Sequence, residues 1–109
     1  MESLKKNKDF SRVYSRGKSF ATYNLVLYYY PNRLDYNRIG YSISKKIGNA
    51  VVRNKLRRRL KEITRLNSSV KKGYDLIFIA RKPVINLQYL GLERDVIKLY
   101  KKAGIWDKP

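Results

Sequence analysis

The chain has 109 residues, of which 26 are lysine or arginine and eight are acidic, so its formal net charge is +18. It contains neither cysteine nor histidine, which excludes disulfides, cysteine-based zinc sites and the usual general base at neutral pH. A hydrophobic content of 43% is sufficient for one folded domain spanning 1–109. We see no apolar run long enough to cross a bilayer and no secretory signal, and we therefore expect a cytoplasmic protein without a membrane partner.

The excess of positive charge indicates an anionic partner. Self-repulsion of this size destabilises a compact chain unless such a partner relieves it. Nucleic acid is the leading candidate, and an anionic membrane surface is a weaker one. A membrane-surface protein would need a basic helix with a broad exposed apolar face, whereas the apolar face available here is narrow and is needed for the core.

The N-terminal third predicts a short helix followed by extended chain. The stretch 9–14 has apolar residues at helical spacing, and Gly17 can end this helix. The segment 20–30 is rich in tyrosine, valine and leucine, as strands are. There is room for an additional short strand around Phe20.

A second strand is predicted over 38–45, where large apolar and small residues alternate strictly. We expect this strand to pair with 20–30 as an antiparallel hairpin. One of its faces carries only small residues, namely Gly40, Ser42 and Ser44. That face is predicted to be open, and Tyr28 of the neighbouring strand can share it or can instead pack in the core.

The stretch from Lys45 to Arg65 carries nine basic residues and a single acid. Gly48 breaks the preceding strand, and Asn49 can cap a helix that ends near 67–69. Five residues at helical spacing predict the side of this helix that packs on the sheet: Val52, Leu56, Leu60, Ile63 and Leu66. Most of the remaining surface is cationic, which indicates recognition of a polyanion.

Two further elements complete the chain. The segment 74–81 is apolar on both faces in its middle and predicts a strand, which Lys82 and Pro83 end. The segment 87–102 predicts a final helix, closed by Gly104. The element order α-β-β-(β)-α-β-α predicts an α+β fold, in which helices pack on a small, mostly antiparallel sheet.

The stretch 45–55, with the sequence KKIGNAVVRNK, closely resembles the RNR motif of the bacterial ribonuclease P protein component. The segments 7–17, 25–28 and 74–83 resemble that family's N-terminal helix, its aromatic strand and its last strand with the exit turn. The resemblance covers nearly the whole chain in order, and the central motif is its specific part. One departure is Lys55, which keeps the charge of the motif's second arginine but loses bidentate phosphate geometry.

The resemblance implies a ribosomal S5 domain 2-like fold with a left-handed crossover around the RNR helix, although the general rule favours a right-handed one. It implies a protein monomer that binds ribonuclease P RNA and the 5′ leader of precursor tRNA, and that assists the endonucleolytic removal of the leader. Chemistry would belong to the RNA with Mg²⁺. We therefore expect no catalytic residue, metal site or bound cofactor in the protein, in agreement with its lack of histidine and cysteine.

Site residues follow from the same resemblance. The residues implied to face the catalytic RNA are Arg53, Asn54, Lys55, Arg57, Arg58 and Lys61. Those implied to contact the leader are Phe10, Tyr14, Tyr28, Ser42, Lys45, Lys46, Asn49, Arg81 and Lys82. Aromatic residues at i and i+4 on a short helix are also typical core residues, and Asn49 is also a helix cap.

Two interpretations stay open at this point. Arg59 lies near the apolar side of its helix, and we expect it to extend its head to solvent or to reach Glu62 or Glu93. A basic ribosomal protein or RNA chaperone would share the charge and size of this chain. Such a protein would bind ribosomal RNA and would have no role in tRNA processing.

Overall fold

The computed structural model describes residues 1–108 and contains five strands and three α-helices in that part of the chain. The helices are α1 (Asn7–Arg16), α2 (Ala50–Leu66) and α3 (Tyr89–Lys102). The strands are β1 (Glu2–Ser3), β2 (Lys18–Ala21), β3 (Leu25–Pro31), β4 (Arg38–Ser42) and β5 (Tyr74–Ala80). Short 3₁₀ turns follow β4 and β5, at Lys45–Ile47 and Lys82–Asn86. The predicted α+β class is confirmed.

The strands form one sheet in the order β1-β4-β5-β3-β2. The sheet is mixed, because β4 pairs in parallel with β1 and β5, whereas β3 pairs antiparallel with β5 and β2. The expected hairpin between 20–30 and 38–45 is therefore wrong, since β5 lies between these two segments. β5 is almost entirely buried, which suits a central position better than an edge. The segment 20–30 is also divided, because a turn at 22–24 separates β2 from β3.

The parallel neighbours β4 and β5 are joined through α2. This connection is the crossover that the resemblance implies, and its left hand stays a prediction. Among residues 1–108, no helix combines the length and the apolar character that a bilayer span requires.

The main core lies between one face of the sheet and the helices α2 and α3. Leu56, Leu60 and Ile63 of α2 are buried in it, as the helical spacing predicts. Val52 and Leu66 are 39% and 56% exposed instead, since they lie in the first and last turns of the helix. The predicted alternation of β4 is confirmed, because its large apolar side chains point into this core.

The opposite face of the sheet is partly covered by α1. A second, smaller apolar cluster forms there around Val13 and Ile77, with Phe10 and Tyr28 packed against it. The prediction of an open face is wrong at Gly40, which is buried directly beneath the Phe10 ring. A Cβ atom at this position would overlap that ring, so the glycine permits the helix to approach closely. Ser42, farther along β4, is only half-buried.

The Gly40→Ala variant tests this close approach. We expect it to lose about 1–3 kcal/mol of unfolding free energy, because the added methyl group and the Phe10 ring compete for one space. Chemical denaturation measures the loss. In a Phe10→Ala background the same change should cost much less, and an equal cost in both backgrounds would contradict the proposed clash.

Candidate RNA-binding surfaces

The residues at the start of α2 hold its first turn in place. Asn49 Oδ1 accepts a hydrogen bond from the Val52 backbone N–H at 3.0 Å, so the predicted helix cap is confirmed. Arg53 Nε donates to the Gly48 carbonyl at 3.1 Å. Arg53 thus ties the helix to the turn before it, and only its terminal nitrogens remain for a partner.

Exposed basic side chains cover the outer side of α2. Four of the candidate residues line one shallow hollow of about 460 Å³: Asn54, Arg57, Arg58 and Lys61. Within it, Arg57 Nη1 donates to Asn54 Oδ1 at 3.1 Å, which orients the guanidinium. Of the basic residues on α2, only Arg65 has an ion-pair partner within residues 1–108, namely Glu62 at 2.9 Å. A cluster of uncompensated cations on one helix face is typical of a phosphate-binding surface.

Lys55 and Arg59 lie on a different side of α2 from that hollow. Together with Val52 they border a groove between α2 and the 3₁₀ turn that follows β5. Of the two expectations for Arg59, contact with an acidic partner is wrong, because Glu62 pairs with Arg65 and Glu93 accepts a hydrogen bond from Asn67. Arg59 is half-buried beside the apolar groove instead.

The structure brings together the three aromatic residues predicted for the leader. Tyr14 and Tyr28 meet edge to face with ring centroids 5.1 Å apart, and Phe10 lies 6.4 Å from Tyr14. Tyr14 is 39% exposed, whereas Phe10 and Tyr28 are half-buried in the small cluster beneath α1. Phe10 is therefore chiefly a packing residue, and Tyr14 presents the most accessible ring of the three.

The basic residues predicted for the leader converge at one edge of the sheet. Because β4 and β5 are parallel, their carboxyl ends lie side by side, with Ser42 opposite Ile79. Lys45 and Lys46 are exposed on the 3₁₀ turn after β4, and Lys82 is exposed on the turn after β5. These two turns contact each other, although α2 separates them in the sequence.

Arg81 has a more restricted position than Lys82. Its Nη1 donates to the Thr22 carbonyl at 3.1 Å, and its backbone N–H donates to the Asn24 carbonyl at 2.9 Å. The side chain is exposed, so its other guanidinium nitrogen atoms can still reach a phosphate. Arg81 therefore joins the end of β5 to the turn between β2 and β3.

A comparison with protein families agrees with this geometry. The model of the family described as Ribonuclease P matches residues 1–104 of the chain. The chain belongs to the ribonuclease P protein family. The resemblance carried by the stretch 45–55 is confirmed, and membership implies an RNA partner within an endoribonuclease holoenzyme.

Several relatives in the family match nearly the full length of the chain. The ribonuclease P protein component of Clostridium kluyveri is 51% identical over 106 residues, covering 94% of this chain and 95% of the relative. That of Caldanaerobacter subterraneus subsp. tengcongensis is 45% identical over 109 residues, covering 99% and 94%. The matches thus cover about 95% of the length of these family members.

Solved structures of the family share the fold. The ribonuclease P protein of Staphylococcus aureus superimposes with a TM-score of 0.90 at 36% identity, covering 97% of this chain and 98% of that one. The protein of Thermotoga maritima gives a TM-score of 0.86 at 31% identity, covering 94% and 97%. The mixed sheet with its three helices is therefore the fold of ribonuclease P proteins.

A buried ionic network holds α1 on the sheet in this member of the family. Arg38 donates to both carboxylate oxygens of Asp75, at 2.8 and 2.7 Å, and its Nη1 lies 3.6 Å from Asp9 on α1. Asn32 and Arg12 add hydrogen bonds to the two carboxylates. The hydrogen bond with Asp75 is the main cause that raises the pKa of Arg38 above its ordinary value. The network therefore positions the helix that carries Tyr14.

Sequence reasoning did not find this network. Its only sequence signal is Asp75 within an otherwise apolar strand, because a charge buried there requires a partner. In residues 1–108 no group of three or more histidine, cysteine or acidic side chains is arranged to hold a metal ion. Both buried carboxylates in the network, Asp9 and Asp75, are compensated by arginine.

Proposed function

We propose that the chain is the protein subunit of ribonuclease P and that it binds two RNAs on separate surfaces. The outer face of α2 binds the catalytic RNA through Asn54, Arg57, Arg58 and Lys61. Arg53 at the start of the helix and Lys55 on its adjoining side extend this surface. The opposite face of the sheet binds the 5′ leader of precursor tRNA. The observation that supports this division most directly is that α2 and α1 pack on opposite faces of one sheet.

The leader surface combines the two features that single-stranded RNA requires. Bases stack on aromatic side chains, and Tyr14 beside Tyr28 offers such a surface next to α1. Cations follow the phosphates, and Lys45, Lys46 and Lys82 converge at the adjoining end of the sheet. Recognition of this kind does not depend on base identity, which suits leaders of differing sequence.

We assign the cleavage chemistry to the RNA subunit with its Mg²⁺ ions. The protein has no histidine or cysteine, and arginine compensates its buried carboxylates. Its contribution is to hold the substrate and to neutralise phosphate repulsion between the two RNAs. Neutralisation by the protein reduces the number of free cations that assembly requires. The proposal places one protein monomer in the ribonucleoprotein.

Cleavage of precursor tRNA at limiting Mg²⁺ tests this function. We expect the protein to lower the Mg²⁺ concentration at which its cognate RNA reaches half of its maximal rate. The matched control omits the protein and adds an equal positive charge as polyamine. An unchanged Mg²⁺ requirement would contradict the proposal, and preferential binding to ribosomal RNA would favour a ribosomal protein or RNA chaperone.

A further inference from the structure

A solvent-exposed tyrosine lies on the turn between β2 and β3, outside the two surfaces described above. Tyr23 is 74% exposed, the most exposed aromatic side chain among residues 1–108. It is absent from the motif segments that carry the family resemblance. A large aromatic ring left in water at this position has no packing role, because it belongs to neither apolar cluster.

The turn that carries Tyr23 is held from both sides. Thr22 Oγ1 and Asn24 Nδ2 donate to the same carboxylate oxygen of Asp95 on α3, at 2.9 and 3.0 Å. Thr22 Oγ1 also accepts from the Leu25 backbone N–H at 3.1 Å. Arg81 binds the carbonyls of both residues that flank Tyr23. The backbone beneath the ring is therefore preorganised, which lowers the entropic cost of a contact made by that ring.

The surroundings of Tyr23 suit a nucleotide. Its ring borders a shallow depression of about 500 Å³ whose other walls include Lys82, Pro83, Ile85 and Asn86. Ile85 is 52% exposed, so the depression also has an apolar wall. An aromatic ring and an aliphatic side chain can hold the two faces of a base, while lysine reaches its phosphate. The asparagine amide can bond to a base edge.

The depression adjoins the leader surface through one shared residue. Lys82 belongs to both, and Arg81 links the Tyr23 turn to the end of β5. Tyr28 lies four residues after the last residue of this turn, which is about 13 Å along β3 at the rise of a strand. Val26 and Ile79 pair within this interval and are half-buried on the same face as Tyr28. A single strand lying on Tyr28 therefore has an apolar floor that leads toward the Tyr23 turn.

We propose that Tyr23 stacks on a further nucleotide of the precursor-tRNA leader, beyond the nucleotides that reach Tyr28. This inference rests on the proposed leader function. Charge complementarity and the shared Lys82 favour the leader as the occupant. The hollow that we assign to the catalytic RNA is formed by other residues, all on α2. Ile85 also lines the groove beside Lys55, so contact with the catalytic RNA is one of the outcomes that the test separates.

The test measures the affinity of the assembled holoenzyme for precursor tRNAs whose leaders lengthen one nucleotide at a time. The wild-type protein should gain affinity at successive lengths. Tyr23→Ala should lose about five- to tenfold only at the longer lengths, since one base–aromatic stack is removed. Tyr23→Phe should keep the gain. Tyr36→Ala, at an exposed tyrosine on the β3–β4 loop, is the matched control and should behave as wild type.

The outcomes separate this inference from the leader function on which it rests. If Tyr28→Ala loses the gain at short lengths while Tyr23→Ala matches wild type throughout, the Tyr23 contact is wrong and the leader function stands. A loss in Tyr23→Ala that is independent of leader length, or weaker assembly with the catalytic RNA, would place the ring against another RNA and overturn the inference. If wild type itself shows no dependence on leader length, both proposals are wrong.

Discussion

The Arg38→Met variant should lose about 3–5 kcal/mol of unfolding free energy, because it leaves two buried carboxylates without their shared cation. Asp75 is 1% exposed and accepts two short hydrogen bonds from Arg38, so its charge has no access to water as compensation. Asp9 would retain only its contact with Arg12. Chemical denaturation measures this loss directly.

The matched control for this variant is Arg65→Met. It also removes an arginine from an ion pair, but the Arg65–Glu62 pair is exposed on α2. Exposed pairs contribute about 0–1 kcal/mol, so the control should remain close to wild type. Similar losses in the two variants would show that the Arg38 network does not stabilise the fold in the way that its burial indicates.

The milder variant Asp9→Asn addresses the functional consequence of the same network. It removes the negative charge of Asp9 on α1 and retains the strand contact between Arg38 and Asp75. We expect a looser α1, and therefore weaker binding of a long-leader precursor tRNA, with unchanged affinity for the catalytic RNA. Equal weakening for both RNAs would argue for general unfolding instead of a displaced helix.

The second large effect is expected on the outer face of α2. The triple variant Arg57→Ala, Arg58→Ala, Lys61→Ala removes three cations that line one hollow. The slope of log affinity against log salt is negative, and each lost phosphate contact makes it shallower by about 0.7–0.9. Three lost contacts therefore make the slope shallower by about 2–3, which corresponds to about a hundredfold weaker binding of the catalytic RNA near 0.1 M salt.

A charge-matched control separates specific contacts from the overall +18 charge. The triple variant Lys71→Ala, Lys72→Ala, Lys98→Ala removes the same charge from exposed positions outside α2. Its salt slope should stay close to that of wild type. If both triple variants reduce the slope equally, the protein binds RNA through diffuse charge and α2 has no special role.

Much of the fold follows from interactions between residues that are close in the sequence. The Asn49 cap joins residues three positions apart, and the limits of α2 were predicted for that reason. The alternation along β4 places Ile39 and Gly40 on opposite faces whatever strand lies beside it. The cationic surface of α2 was likewise visible, because helical spacing alone determines which side chains share a side.

Relations between distant segments were not predictable in this way. The sequences of β3 and β4 are compatible with direct pairing between these two strands, and only the assembled sheet places β5 between them. The lack of a side chain at Gly40 is equally compatible with an open face and with a closely approaching ring. The position of Phe10 decides between these, and the contact joins residues 30 positions apart.

The RNR-like stretch and the charge of the chain were therefore sufficient to predict the family, the basic helix and the residues that lie along that helix. Long-range packing decided the rest. The pairing of β4 with β5 brings Lys45 and Lys82 to one end of the sheet. The Arg38 network holds α1, which carries Tyr14, on the sheet. The physical reason is that helix caps and side-chain periodicity are local properties of the backbone. Strand order and buried ion pairs depend on which segments, distant in the sequence, pack against each other in the folded chain.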